Sequence, residues 1–286
     1  MIKYEITKRI PDETYLKLLF WLRMKKKLNL ENPVTFNEKM QWLKLYNKNP
    51  EYTRLVDKYE VREYIKSRFG SELLVPLIGV WNTWEEINFA LLPERFVLKT
   101  THDSGGVAIC HNKSNWDIQK AKEKIRDSLS RNYFYLGREY PYRNIVPRII
   151  GEEYLENEQA NELIDYKVMC FNGKAKCIFT CTERFSDDGL KVTFFDLDWN
   201  RLPFERHYPS SRLEVKRPVN LEKMIQYAEM LSKNIPFLRV DFYEVNEQVY
   251  LGELTFYPGS GMEEFTPEIY DSILGSWLEL PEKTLL

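Results

Sequence analysis

The sequence has few of the residues that usually bind zinc, with only 3 histidines and 4 cysteines among 286 residues. The cysteines are Cys110, Cys170, Cys177 and Cys181. No two of them have C-x-x-C spacing, and the histidines have no ligand spacing, so a zinc or redox motif is disfavoured. The last three cysteines lie in or near apolar, strand-like runs. We therefore expect reduced, buried thiols in a cytoplasmic protein.

A large excess of charge of one sign is also missing. Lys and Arg total 41 against 43 Asp and Glu, for a formal net charge of -2. This balance argues against a protein that binds polyanions through bulk charge, so no nucleic-acid partner is expected. Hydrophobic residues make up 43% and charged residues 29%, which is typical of a soluble globular chain.

Long hydrophobic runs are absent too. The N-terminus lacks an apolar core of secretory length, and the apolar stretch at residues 15–22 is too short to cross a bilayer. Four cations follow in residues 23–27 (RMKKK). Such a helix can lie on an anionic membrane surface, or it can pack against the protein with its cations at the helix C-terminus. We favour the packed helix and a cytoplasmic location, with peripheral contact at the inner face of the membrane as the alternative.

The hydrophobic pattern predicts an α+β protein with antiparallel sheets. Helices are expected at residues 12–27, 54–68, 117–131 and 221–234, and a further one opens at the capping box Thr35-Phe36-Asn37-Glu38. Strand pairs are expected around Gly105-Gly106, around Asn172-Gly173 and around residues 245–247. Residues 133–147 have little periodicity and are interpreted as a loop or linker.

The first candidate site is a lysine followed by a glycine-bearing loop. Lys99 stands at the end of an apolar strand, and Ser104, Gly105 and Gly106 follow within the loop. Glycines let a backbone approach a ligand closely, successive N–H groups can hold phosphate oxygens, and a lysine adds a point charge. A turn without ligand explains the same residues, and the pattern is neither a Walker A loop nor a Rossmann fingerprint.

The second candidate site combines residues of two neighbouring strands. Arg239 and Asp241 share one strand face by alternation, and so do Glu253 and Thr255 on the next strand. Mg²⁺ takes oxygen ligands, typically one or two carboxylates together with substrate phosphates. The alternative is a surface network of ion pairs on an exposed sheet face.

The third candidate is the extended segment Glu152, Glu153, Tyr154 and Leu155, which by composition alone is a strand end. Backbone groups of such a connector can hold adenine. A weaker motif is Asp196-Leu197-Asp198, whose Asp-x-Asp spacing suits a nucleotide-sugar metal site but equally suits a polar turn.

Order and spacing then indicate a family. Asp57-Lys58 is followed by Lys99 and its glycine loop, by Glu152 to Leu155, by Asp165-Tyr166-Lys167, and by the Arg239 and Glu253 strands. Together with residues 33–44 (PVTFNEKMQWLK), 57–64 (DKYEVREY) and 252–261 (GELTFYPGSG), this order resembles the TupA-like ATP-grasp family of bacterial polysaccharide gene clusters.

The resemblance covers about residues 15 to 275 and implies a fold of two α+β lobes that hold ATP between antiparallel sheets. It implies a mainly helical N-terminal region at residues 1–75, a small lobe with the phosphate loop at 76–148 and a large lobe with the magnesium site at 149–286.

The resemblance also implies roles for individual residues. Lys58 and Lys99 would hold ATP phosphates, under a lid formed by Ser104, Gly105 and Gly106. The adenine hinge would consist of Glu152, Glu153, Tyr154 and Leu155. Asp165 and Lys167 would line the path of nucleotide and substrate, and Arg239 would steady the transferred phosphoryl group or the acyl intermediate. Magnesium ligands would be Asp241, Glu253 and Thr255, where Thr255 replaces the Asn that many ATP-grasp enzymes carry.

The implied function is an ATP- and Mg²⁺-dependent carboxylate–amine ligase. It would form an amide through an acyl phosphate, joining an amine or amino acid to a uronic acid of a surface polysaccharide or its precursor. The alternative function is a glycosyltransferase of polysaccharide biosynthesis, with Asp196 and Asp198 as its metal motif.

Overall fold

The computed structural model describes residues 7–156, 163–184 and 186–284, and it confirms the α+β class with antiparallel sheets. The α-helices are α1 (Asp12–Met24), α2 (Phe36–Tyr46), α3 (Glu51–Val56), α4 (Glu60–Phe69), α5 (Ile118–Leu129), α6 (Phe134–Gly137), α7 (Leu221–Leu231) and α8 (Ile269–Trp277). The strands are β1 (Leu77–Trp81), β2 (Phe96–Thr100), β3 (Val107–Cys110), β4 (Ile149–Glu153), β5 (Asp165–Phe171), β6 (Lys174–Thr182), β7 (Lys191–Phe195), β8 (Glu205–Arg206), β9 (Phe237–Val245), β10 (Gln248–Thr255) and β11 (Phe265–Thr266).

The packing divides the chain into two compact units. The first unit comprises the described residues of Met1–Lys48 and Asn157–Leu286, and the second is Asn49–Glu156. The helical segment at residues 1–75 is thus shared between the units, because α1 and α2 belong to the first and α3 and α4 to the second. The division into a helical region at residues 1–75, a small lobe at 76–148 and a large lobe at 149–286 stays a prediction.

The second unit contains a four-stranded antiparallel sheet in the order β1-β4-β2-β3. One face of this sheet is a hydrophobic core, in which Phe96 and Leu98 of β2 pack with Ile125 of α5. The Trp81 ring lies over Gly79 and Gly151, where an added Cβ would come within 2.4 and 2.9 Å of it. Paired glycines on β1 and β4 therefore make room for one large ring.

The first unit contains a five-stranded antiparallel sheet in the order β10-β9-β5-β6-β7. Helix α7 packs against β5, β6 and β9. All three predicted strand pairs are confirmed: β2 with β3 in the four-stranded sheet, and β5 with β6 and β9 with β10 in this one. Asn172 and Gly173 have φ values of 49° and 80°, and Asn246 and Glu247 have 51° and 63°. Positive φ at both central residues is the geometry that matches strand twist in tight hairpins.

Helix α2 begins at the predicted capping box, which is confirmed. Thr35 Oγ1 accepts a hydrogen bond from the Glu38 amide at 3.2 Å, and Glu38 Oε2 accepts one from the Thr35 amide at 3.1 Å. Reciprocal capping satisfies two amides that have no partner inside the helix.

Several predicted boundaries were wrong. Residues 54–68 do not form one helix, because Asp57 Oδ1 accepts hydrogen bonds from the amides of Tyr59 and Glu60 and starts α4 as a separate helix. Helix α1 ends at Met24, since Lys25 adopts the left-handed conformation. Helix α7 ends at Leu231, and the predicted loop 133–147 contains the short helix α6.

The cysteine prediction is confirmed, since Cys110, Cys170, Cys177 and Cys181 are free and buried. Burial raises the pKa of the Cys170 thiol to about 12 and also raises that of Cys181. Because the thiolate is the reactive form, we expect no labelling by a disulfide reagent such as DTNB at pH 8 in the native protein. All four thiols should react in denaturant, and rapid labelling of the native protein would contradict the burial.

Among the described residues, no helix is long and apolar enough to span a bilayer.

Candidate functional site

One face of the five-stranded sheet gathers charged side chains from three neighbouring strands. The strand register pairs Lys167 of β5 with Asp241 of β9, and Asp241 with Glu253 of β10. The same register pairs Arg239 with Thr255. Paired residues of neighbouring strands point to the same face. The structure therefore brings together Arg239, Asp241, Glu253 and Thr255, to which the resemblance assigned phosphoryl and metal roles, and Lys167, which it assigned to the path of nucleotide and substrate.

Arg239 is the centre of this cluster. Its Nε donates to Asp241 Oδ1 at 2.7 Å and its Nη2 donates to Asp241 Oδ2 at 2.7 Å. The same Nη2 lies 2.9 Å from Glu253 Oε1 and 3.0 Å from Thr255 Oγ1. A planar guanidinium is suited to this two-pronged contact with a carboxylate. Arg239 thus holds both predicted metal-binding carboxylates in one place.

Lys167 approaches the same carboxylate from β5. Its Nζ pairs with Asp241 Oδ2 and lies 3.5 Å from Asp165 Oδ1. Asp165 in turn pairs with Arg184. The cluster therefore alternates cations and carboxylates across the sheet, and each buried charge has an opposite charge beside it. Buried charges are tolerated only in such paired arrangements.

The cluster keeps Asp241 ionised. Burial alone would raise the pKa of Asp241, but Arg239 and Lys167 outweigh it and lower the pKa below its ordinary value of 3.8. The same carboxylates raise the pKa of Arg239 in spite of burial. A lowered carboxyl pKa stabilises the fold above the unfolded-state value and loses that contribution as the pH falls through the lower folded-state value. The ion pairs are thus fully formed at neutral pH.

The residues of this face fit a hard divalent cation. Asp241 and Glu253 are directly paired across β9 and β10, and Thr255 Oγ1 lies 3.4 Å from Glu253 Oε1. These are oxygen donors, and two carboxylates are the usual protein share of a Mg²⁺ site whose other ligands are phosphates. The described residues contain no group of three or more His, Cys, Asp or Glu that could hold a metal ion by themselves.

The second unit carries its own cation–carboxylate pair. Lys99 Nζ lies 2.7 Å from Glu152 Oε2, and Arg62 Nη1 lies 2.9 Å from Glu152 Oε1. The carboxylate of Glu152 is thus held by two cations rather than left open toward a base. Burial lowers the pKa of Arg62, although Glu152 counteracts this effect. The sequence did not single out Arg62, since nothing in its local pattern indicates a partner 90 residues away.

Lys58 lies at the break between α3 and α4. Its Nζ donates to the carbonyl oxygen of Asp103 at 2.5 Å, so it reaches the base of the predicted phosphate loop. Asp57, which starts α4, also lies 3.2 Å from Arg148 Nη2. The break at Asp57 therefore places Lys58 beside the loop that follows Lys99.

The loop after Lys99 has a fixed base and an exposed tip. Asp103 Oδ2 accepts a hydrogen bond from Ser128 Oγ at 2.5 Å, and His102 Nε2 contacts the Ser128 and Arg131 carbonyl oxygens at 3.1 Å each. Ser104 and Gly105 are exposed. Gly105 has φ +101°, and a Cβ on the buried Gly106 would fall 1.9 Å from Thr100 Oγ1. Gly105 is thus required by its backbone conformation, and Gly106 by the side chains packed against it.

The open face of the four-stranded sheet is apolar around Lys99. By register, this face carries Val97, Lys99, Val107, Ile109, Ile150 and Glu152, of which Ile150 and Glu152 are buried. Ile109 is exposed and Val97 is half-buried, although both are apolar. The rest of the predicted hinge follows β4. Glu153 is exposed, Leu155 is half-buried, and the Tyr154 ring packs 4.9 Å from that of His111.

Helix α2 fixes a loop at residues 257–263 beside the carboxylate strands. Gln41 Nε2 donates to the carbonyl oxygens of Ser260 and Gly261 at 3.1 and 2.6 Å. Lys44 Nζ donates to the Ser260 carbonyl oxygen at 2.8 Å, and Asn37 Nδ2 donates to that of Glu263 at 2.8 Å. These three polar side chains are buried, so the family motif in α2 holds this loop in a set conformation.

We expect Lys44→Met to lower the free energy of unfolding by about 1–3 kcal/mol, since charged hydrogen bonds inside the protein are lost while the apolar stem remains. Lys27→Met, at an exposed position, is the matched control. Urea unfolding of both variants checks this, and equal unfolding free energies would contradict the role of Lys44.

Asp196 belongs to a turn rather than to a cluster. Its Oδ1 accepts hydrogen bonds from the amides of Asp198 and Asn200 at 3.0 and 2.8 Å. This contact pattern supports the turn interpretation of the Asp-x-Asp motif.

Fold and site together define an α+β protein with antiparallel sheets, in which the four-stranded sheet bears a lysine and glycine-loop site and the five-stranded sheet bears a carboxylate–arginine site. The chain belongs to the TupA-like ATP-grasp family, whose sequence profile matches residues 38–279. No protein with a curated description matches the chain.

Solved structures of ATP-grasp ligases are similar to the chain. D-alanine–D-alanine ligase from Bacillus anthracis, complexed with ATP, is 15% identical with a TM-score of 0.47, over 79% of this chain and 65% of that one. The ATP-grasp ligase PsnB, complexed with a minimal precursor, Mg and ADP, is 10% identical with a TM-score of 0.41, over 77% of this chain and 57% of that one. The chain thus spans less than two thirds of the length of either.

Proposed function

We propose that this protein is an ATP-dependent carboxylate–amine ligase that uses Mg²⁺. The observation that carries the proposal is the cluster of Arg239, Lys167, Asp241 and Glu253 on one sheet face, in a chain of an ATP-grasp family. Phosphoryl transfer needs little covalent chemistry from a protein, but it needs positioned charges. This face supplies both the carboxylates for a metal and the cations for a phosphoryl group.

The proposed reaction has two steps. A carboxylate oxygen of the acceptor attacks the γ-phosphorus of ATP, the bond to the β,γ-bridging oxygen breaks, and ADP leaves. The amine then attacks the acyl carbon, loses a proton, and releases phosphate and the amide. Bound Mg²⁺, held by Asp241 and Glu253, would neutralise phosphate charge and orient the phosphates.

Residues of this chain would perform the remaining tasks. Lys58 and Lys99 would bind ATP phosphates beneath the exposed tip of the loop at Ser104 and Gly105. The open apolar face around Val97 and Ile109, which continues into Glu152 to Leu155, would hold the nucleotide base. Arg239 and Lys167 would stabilise charge on the transferred phosphoryl group. Asp165 would hold the Lys167 ammonium in place.

The proposed substrates are an amine or amino acid and a uronic acid of a surface polysaccharide or its precursor. This part of the proposal is supported by the chain's resemblance to a family of bacterial polysaccharide gene clusters. Measurement of ADP release with mixtures of uronic acids and amino acids tests the proposal. ADP should form only when a carboxylate is present. Tight ATP binding without turnover on any carboxylate, or release of UDP from UDP-sugars instead, would overturn it.

We also propose a cytoplasmic protein that touches the inner face of the membrane through α1. Leu16 and Phe20 of α1 are buried, but Leu18, Trp21 and Leu22 are 49%, 56% and 48% exposed. The exposed cations Arg23, Lys25, Lys26 and Lys27 follow them. An apolar patch beside cations suits an anionic lipid surface.

Co-sedimentation with phosphatidylglycerol vesicles and with phosphatidylcholine vesicles tests the membrane contact. Binding should need the anionic lipid and disappear when Leu18, Trp21 and Leu22 are all changed to Ser. The variant Leu91→Ser, at another exposed apolar position, should bind as the unchanged protein does. Equal binding to both lipids, or none, would contradict the contact.

A further inference from the structure

The charged face of the five-stranded sheet becomes apolar toward its far edge. The register that places Lys167 opposite Asp241 also places Lys167 opposite Phe179 of β6, and Phe179 opposite Phe194 of β7. The same face thus carries ions on β10, β9 and β5 and aromatic rings on β6 and β7. A ligand on this face would meet charge at one end and apolar surface at the other.

A pocket of about 140 Å³ lies where the charged part of this sheet face meets its aromatic part. Lys167, Arg239 and Arg206 line its charged part, and Phe179, Phe194 and Tyr208 line its apolar part. An apolar cavity of about 150 Å³ in another protein holds one benzene molecule, so the pocket has room for a single six-membered ring. The pocket is partly open, which leaves space for a substituent that leads out of it.

The charges of the pocket favour an anion. It is lined by three cations and by one carboxylate, that of Glu263. Lys167 and Arg239 are balanced in this structure by Asp241 and Glu253. A divalent cation on these carboxylates would compete for that charge, and buried cations then need anions from a ligand. Phosphate can supply one such anion and an acceptor carboxylate another.

The third cation is fixed in the pocket wall. Arg206 is buried, and its Nη2 donates to the Pro258 carbonyl oxygen at 2.7 Å and lies 3.3 Å from Glu263 Oε2. The rings of Phe36 and Phe265 lie 5.4 and 5.5 Å from its guanidinium carbon. The loop 257–263 that holds Arg206 is itself held by α2. A wall set before the ligand arrives lowers the entropic cost of binding.

We propose that this pocket binds the acceptor, as a carboxylate carried by a single six-membered ring. The carboxylate lies at Lys167 and Arg239, next to the metal-binding carboxylates, and the ring lies against Phe179, Phe194 and Tyr208. The inference rests on the proposed ligase function for its place in a reaction, but the binding itself needs no turnover. It makes one ring the unit that the pocket recognises, with longer chains leading out of the opening.

Calorimetric titration of the full chain, in buffer that contains Mg²⁺, with four small probes tests the pocket. D-glucuronate and D-galacturonate carry a ring and a carboxylate, D-glucose carries the ring alone, and acetate carries the carboxylate alone. At least one uronate should bind at least tenfold more tightly than glucose and acetate. Equal affinity for acetate or for glucose, or no binding of either uronate, would overturn the proposal.

Two variants locate that binding. Tyr208→Ala removes a partly exposed ring from the aromatic wall of the pocket. Loss of its contact with the sugar ring should weaken uronate binding about tenfold. Val192→Phe fills the pocket from β7 and should abolish uronate binding. Controls are Tyr227→Ala on α7 and Val219→Phe at an exposed position, which should bind as the unchanged protein does.

ATP–Mg²⁺ affinity separates the two proposals. Both pocket variants should bind ATP–Mg²⁺ within about twofold of the unchanged protein, since neither residue lies on β5, β9 or β10, the strands that carry the proposed phosphoryl and metal residues. Unchanged uronate affinity in Tyr208→Ala and in a folded Val192→Phe would overturn the pocket alone. Absent ATP–Mg²⁺ binding in the unchanged protein would overturn the ligase function and leave the uronate result standing.

Discussion

Glu253→Gln should lower kcat by on the order of 10²–10³ while leaving the fold intact, because it removes one charge from the proposed metal site. The Glu253 side chain is 35% exposed, whereas that of Asp241 is 2% exposed. Loss of the Glu253 charge should therefore change the stability little, because Arg239 keeps Asp241 as its partner and no buried charge is left unpaired. Steady-state ADP release together with thermal unfolding measures both effects. The melting temperature should stay close to that of the unchanged protein.

Two further variants make this result specific. Asp241→Asn should lower kcat at least as much as Glu253→Gln, but it should destabilise the protein as well, since it leaves Arg239 and Lys167 without their shared buried carboxylate. Glu247→Gln, in the exposed turn of the same hairpin, changes the same charge and should leave kcat unchanged. Activity of Glu253→Gln equal to that of Glu247→Gln would show that the metal site lies elsewhere.

Lys99→Ala should raise the Kd for ATP–Mg²⁺ about 10- to 100-fold, which corresponds to the loss of one charged hydrogen bond of about 1.5–3 kcal/mol. The Lys99 ammonium lies 2.7 Å from Glu152 in this structure, on the open face of the second unit. Arg62 still contacts Glu152 in the variant, so the carboxylate keeps a cation and the fold should persist. Isothermal titration with ATP–Mg²⁺ measures the change.

The matched control for Lys99→Ala is Lys124→Ala on the exposed side of α5, which removes the same charge from the same unit. Its ATP affinity should equal that of the unchanged protein. If Lys99→Ala also bound ATP–Mg²⁺ without loss, the phosphate role of Lys99 would be wrong, and the Lys99–Glu152 pair would be structural.

Local patterns in the sequence predicted much of this fold. The start of α2 was predictable because Thr35 and Glu38, three residues apart, each accept a hydrogen bond from the backbone amide of the other. The β5–β6 hairpin was predictable because Asn172-Gly173 tolerates two positive φ values. The grouping of Arg239 with Asp241 followed from alternation along a single strand. Each of these features depends on residues close together in sequence.

Features that depend on distant residues were not predictable. Glu152 was interpreted as part of an adenine hinge, but its partners Arg62 and Lys99 come from two other elements. Arg206 lies on a two-residue strand with no pattern of its own, and its role appears only once Pro258 and Glu263 are adjacent. The break at Asp57 was missed because a capping carboxylate inside a helical pattern looks like an ordinary polar position.

The transfer of an oxygen atom from the acceptor to phosphate tests the central claim most directly. With an acceptor labelled with ¹⁸O in its carboxylate, the unlabelled enzyme, ATP and an amine, the released phosphate is examined by ³¹P NMR. An acyl phosphate intermediate predicts that each phosphate released carries one carboxylate oxygen, in step with ADP and amide. Formation of ADP with unlabelled phosphate would show that ATP is hydrolysed without activation of the carboxylate, and would contradict the ligase mechanism.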